Sequence, residues 1–104
     1  MMQGDSYDLS IDIRSAEDTP VTPGEISDVE LTLGHLKKTC SAGELSYDET
    51  AGLWFCPLTQ QETFSLPAAA VKAQLRILWP NGAVEGVSLG HIHMLESLSK
   101  EVLA

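Results

Sequence analysis

Basic side chains are scarce in this chain: six lysines and arginines stand against fifteen acids, a formal net charge of −9. Nucleic acid is a poor partner for such a surface, because a phosphate backbone is bound through Lys and Arg. An anionic membrane surface is disfavoured for the same reason. The acids are scattered (Asp5, Asp8, Asp12, Glu17, Asp18, Glu25, Asp28, Glu30 and onward) and form no block, so they read as a solvated outer surface. Cysteine is nearly absent. Cys40 and Cys56 lack C-x-x-C spacing, and with no sign of export two free thiols in a reducing cytosol are expected. The start, Met1-Met2-Gln3-Gly4-Asp5, has neither a basic opening nor an apolar run, so no secretory signal and no spanning segment are expected.

Catalytic signatures are missing too. No G-x-S-x-G elbow occurs, "GVSLG" (86–90) having the wrong spacing and lying in a strand. "GAVEG" (82–86) runs between hairpin strands and opens no helix, which excludes a phosphate-cradling loop. Aromatics are few, and the ring of exposed platforms that a sugar-binding module uses is hardly provided.

What is present is alternation. "SYDLSIDIR" from Ser6 places Tyr7, Leu9, Ile11 and Ile13 on one side of a strand and Asp8, Ser10, Asp12 and Arg14 on the other. Pro20, Pro23 and Gly24 mark the next stretch as a loop. "SDVELTLG" alternates again through Val29, Leu31 and Leu33, and "HLKKTC" is expected to continue that strand past Gly34. "GELSYDETAGLWFCPL" reads as two short strands around a turn near Glu49 to Gly52. Thr59 and Glu62 have capping-box spacing, and Pro67 limits the helix that follows to a turn or two. The strongest signal is a β-hairpin: Val71, Ala73, Leu75, Ile77 and Trp79 form an inward row, Asn81-Gly82 supplies the turn, and a second strand returns. Trp79 is thereby expected in the core.

"GHIHM" (90–94) invites a chemical reading, since imidazoles two apart lie on one face of a strand and could hold a metal. The parity of the apolar positions argues otherwise. Val87 and Leu89 are odd whereas Ile92 and Met94 are even, and Gly90 at the change is the mark of a β-bulge. If Ile92 and Met94 face inward, His91 and His93 face water. No further ligand stands at useful spacing, so a small metalloenzyme built on this pair is the least favoured reading, and neither a metal nor a cofactor is expected.

About seven short strands and one short helical turn predict an all-β, immunoglobulin-like sandwich over residues 1–95, with 96–104 as an apolar-striped tail. In that tail Leu95, Leu98, Val102 and Leu103 recur at helix-like spacing. Leu98, Val102 and Leu103 are candidate contact residues for another protein. Trp54 joins them, since Trp54 and Phe55 are adjacent on a strand and one of the two must face out.

"QGDSYDLSIDI", "KKTCSAGELSYDETAGLWFCPLTQQETFSLP" and "VKAQLRILWPNGAVEGVSLGHIHMLESLSKEVL" together resemble small proteins encoded in prophages of Gram-positive gut bacteria. The opening is similar to the N-terminal domain of phage baseplate upper proteins. The resemblance implies a tail or baseplate structural component, immunoglobulin-like and without enzymatic activity. It would meet other phage structural proteins, first in the host cytoplasm and then in the virion, and it is compatible with a homo-oligomer. No catalytic residue is carried over. A carbohydrate- or cell-surface-binding module is the alternative.

Overall fold

Alternate burial is the rule along the best-formed strands, and it fixes how they stack. Val29, Leu31 and Leu33 are buried along β2 (Asp28–Leu33), Trp54, Cys56 and Leu58 along β5 (Leu53–Leu58), and Val71, Ala73, Leu75 and Ile77 along β6 (Ala70–Leu78). Each strand presents every second side chain to one side, so each sheet acquires one apolar face that must be covered. The computed structural model describes residues 1–99.

The remaining strands are β1 (Tyr7–Ile11), β3 (Leu36–Thr39), β4 (Ser46–Asp48) and β7 (Val84–His93). They assemble into a three-stranded sheet of order β1-β5-β4 and a four-stranded sheet of order β3-β2-β6-β7, with every strand pairing antiparallel. The result is the expected all-β sandwich of seven strands. It is immunoglobulin-like in its two-sheet architecture and has its own strand order. The core gathers residues from both sheets and from the loops Ile13–Val21 and Leu66, with Met94 closing one end.

Local chemistry sets the turns. Asp48 accepts from the amides of Thr50 (2.9 Å) and Ala51 (3.2 Å), which closes the β4–β5 turn. Thr59 and Glu62 form the anticipated capping box at the start of the one short helix, α1 (Gln60–Phe64). At the β6–β7 turn only Gly82 takes a positive φ (88°), because Pro80 before it holds its own φ negative and the Gly82 amide reaches back to the Trp79 carbonyl.

Gly34 overturns one expectation. The strand does not run on after it: Leu33 pairs with Leu36 and the chain reverses across Gly34-His35, with Gly34 at φ 59°. A two-residue hairpin with glycine first needs only that one positive φ, and the second residue is unrestricted.

At Gly90 the structure meets the expectation. Ser88 pairs with Gln74 while Gly90 pairs with Ala73, so Leu89 is the additional residue of a bulge, and Gly90 has φ 82°. A Cβ at Gly90 would meet nothing within 4 Å, so a substitution there is penalised by the backbone alone. Gly90→Val is expected to cost about 1–2 kcal/mol in urea unfolding, the strain of a branched residue in the left-handed region. An unchanged midpoint would mean that the bulge relaxes freely.

Candidate functional site: the open side of the sandwich

Directly opposed residues in an antiparallel pair share a face, so the β6–β7 register decides where the β7 side chains go. Glu85 lies opposite Ile77, Val87 opposite Leu75 and Ile92 opposite Val71. All three partners on β6 are buried, which places Glu85, Val87 and Ile92 on the inner face. The inner face of β7 is nevertheless largely uncovered: Val87 and Leu89 are each 40% exposed, whereas the inward aliphatics of β2 and β6 are almost fully hidden. The cause is a mismatch in strand number. Three strands lie over four, and β7 extends past the edge of the smaller sheet.

β1 is that edge. It pairs with β5 along one side, in unbroken register from Tyr7↔Leu58 to Ile11↔Trp54, and has no strand partner on the other side among the described residues. Between it and β7 lies a groove made of two joined cavities. One, of about 370 Å³, is lined by Ile11 and Ile13, by Leu75, Ile77 and Trp79, and by Glu85, Val87 and Leu89. The other, of about 260 Å³, continues it past Leu9, Ala73 and Ile92, with Ile11, Asp12 and Leu89 common to both. The charged residues that line the groove are Asp12, Arg14 and Glu85. Arg14 Nε donates to Asp12 at 3.2 Å and its Nη1 meets Asp18 at 3.7 Å, and the hydrogen bond to Asp12 leads the effects that raise the guanidinium's pKa. Glu85 makes no ion pair among the described residues.

The opposite side of the sandwich is closed. Lys38, on the inner face of β3 opposite Leu31, directs its ammonium to Glu62 of α1 and to Glu44 at 3.6 Å. Burial opposes the charge on both Lys38 and Glu62, but their mutual hydrogen bond prevails, raising the lysine and lowering the carboxyl.

The residues singled out from sequence fall elsewhere. Trp54 is not a contact residue: it is 1% exposed, opposite Ile11 and Tyr47, with its Nε1 donating to the Val21 carbonyl at 3.0 Å. Phe55 takes the outer face. Trp79 corrects the expectation in the other direction, since it is only partly buried and lines the groove. Leu98 is fully exposed, but residues 95–99 are not helical, and Leu95 is held by an isolated bridge to Met2. The stripe is therefore not built over that part of the tail. Val102 and Leu103 lie outside the described residues.

His91 and His93 stand opposite Lys72 and Ala70 on the outer face of β7, exposed. Among the described residues no three His, Cys, Asp or Glu side chains converge on a point where a cation could sit. Cys56 is buried and free, and burial pushes its thiol up to about 11; Cys40 is half-buried and also raised. Such thiols stay protonated at neutral pH and make poor nucleophiles. The arrangement supplies exposed apolar surface and an unpaired strand edge, both of which are means of joining another chain. The chain matches no family model, and no curated protein or solved structure matches it at a significant level.

Proposed function

We propose that this protein is a non-enzymatic interaction module that joins its partners through the open β1/β7 side. The observation that carries the reading is the uncovered inner face of β7. Apolar side chains aligned with a core row, yet left in water beside a free strand edge, mark a surface made to be covered. The tail or baseplate role implied by the sequence resemblance is the setting proposed for it, with assembly in the host cytoplasm and residence in the virion. Its acidity keeps free subunits apart and favours basic partners.

The test is sedimentation from the cells that produce it. The wild-type chain is expected to run with a large multi-protein assembly, whereas the double variant Val87→Lys/Leu89→Lys, checked for fold by its amide spectrum, stays at the mass of the free chain. A wild-type protein found only as an 11 kDa species would overturn the reading.

A further inference from the structure

We infer that the groove between β1 and β7 takes an extended, basic peptide segment of another protein, which adds as a strand to the free edge of β1. The inference rests on the interaction reading above and names the chemistry of the partner.

Two edges border the groove, and they are not equivalent. The β7 edge carries a bulge at Leu89-Gly90 and an inward-facing carboxylate, Glu85, both features that discourage a further strand from pairing there. β1 carries neither. Its five residues contain no proline or glycine and keep regular register with β5. A strand laid along β1 would extend the smaller sheet from three strands to four, matching the larger one. It would satisfy the outward amides and carbonyls of β1 and lower every second side chain onto Val87 and Leu89. A helix could cover the same apolar area but would leave the main-chain groups of β1 without strand partners.

Charge selects the occupant. Arg14 is already engaged by Asp12 and Asp18, so the unmatched charge at the groove is Glu85, which lines the same cavity as Trp79. A Lys or Arg from the occupant placed there would meet both a carboxylate and an indole. A second copy of this chain is disfavoured because it brings another net −9 to an acidic rim.

The test is selection of a random twelve-residue peptide library on the full chain, with counter-selection on Val87→Lys/Leu89→Lys. Enriched sequences are expected to alternate apolar residues with period two and to carry one Lys or Arg at a fixed offset. On Glu85→Lys the enriched residue at that offset should become Asp or Glu. Bound peptide should slow amide exchange over Tyr7–Ile11. Helical spacing in the enriched set, no enrichment, or protection confined to other strands would overturn strand addition. So would a dimer of the purified chain that the double lysine variant abolishes, since that assigns the groove to a second copy. If no peptide enriches while the wild type still sediments with a large assembly, the strand-addition mode alone is lost and the interaction reading stands.

Discussion

Replacing Trp54 by alanine is expected to remove about 3–5 kcal/mol of unfolding free energy, the range for deleting a buried aromatic ring. The indole is 1% exposed and lies between the sheets, tilted against Tyr47 at a centroid distance of 5.4 Å. Its N–H satisfies the Val21 carbonyl, so alanine leaves both a cavity and a buried acceptor without its donor. A domain of this size has on the order of 5–15 kcal/mol in total, so the variant gives up a large share of its stability and its urea midpoint should fall accordingly. Urea titration followed by far-ultraviolet circular dichroism reads the change directly. Trp54→Phe separates the contributions: it keeps most of the ring volume and loses the hydrogen bond, for an expected cost of about 1–2 kcal/mol. Were Trp54 a contact residue, as its position beside Phe55 first suggested, both variants would be nearly neutral for stability and would weaken association. A loss below about 1 kcal/mol for the alanine variant would therefore reverse its assignment to the core.

Period-two patterning was enough to read which strands exist and which face of each is apolar. The rows Val29-Leu31-Leu33 and Val71-Ala73-Leu75-Ile77 are as buried as their spacing demands. The slip at Gly90 was legible as well, because a parity change is visible in the letters and glycine supplies the conformation that a bulge needs. The Thr59/Glu62 capping box depends on four neighbouring residues, and local rules sufficed to place it. Trp54 was misplaced although the sign was there: Trp54, Cys56 and Leu58 keep one parity, and Pro57 on the other parity belongs on a solvated face. Gly34 failed for a different reason. A two-residue hairpin puts Leu33 and Leu36 on one face and so moves the inward parity from odd to even, but the next inward position on β3 is Lys38, and a lysine there hides the change. The groove could not be read at all. Val87 and Leu89 have the pattern of core residues, and whether a core-facing side chain is covered depends on how many strands the opposite sheet contains. That number is set by long-range pairing between β1 and β5, whose partners run from Ile11↔Trp54 to Tyr7↔Leu58, more than forty residues apart in sequence.

Lys38→Met is expected to cost about 2 kcal/mol at pH 7, and the cost should shrink on acidification as Glu62 takes up its proton. The lysine points inward from an edge strand and is mostly buried, as is Glu62. Removing one partner of a fully buried pair costs several kcal/mol; the remaining access of both groups to water reduces that here. Glu62 also accepts from the Thr59 amide at 2.9 Å, so its carboxylate is the charge that both α1 and β3 depend on. Because the folded-state pKa of Glu62 is depressed, its contribution is complete above the unfolded carboxyl value and is lost as pH falls through the folded one. Lys38 is raised, so its contribution is complete below the unfolded lysine value and is lost only as pH rises through the folded one. The wild type should thus hold its advantage over the variant from about pH 5 to about pH 10 and forfeit it on acidification. Once Glu62 is protonated, the mostly buried ammonium is left without its main counter-charge, a penalty that methionine does not carry, and the variant should equal or exceed the wild type. Carboxyls remote from the pair act equally in both proteins and cancel in the difference, so paired urea titrations in a descending pH series from pH 7 isolate it. A difference that stays unchanged down the whole acid series would assign the role of Lys38 to the packing of its aliphatic stem instead. The closed side of the sandwich would then owe its seal to hydrocarbon, as the open side would when a strand covers it.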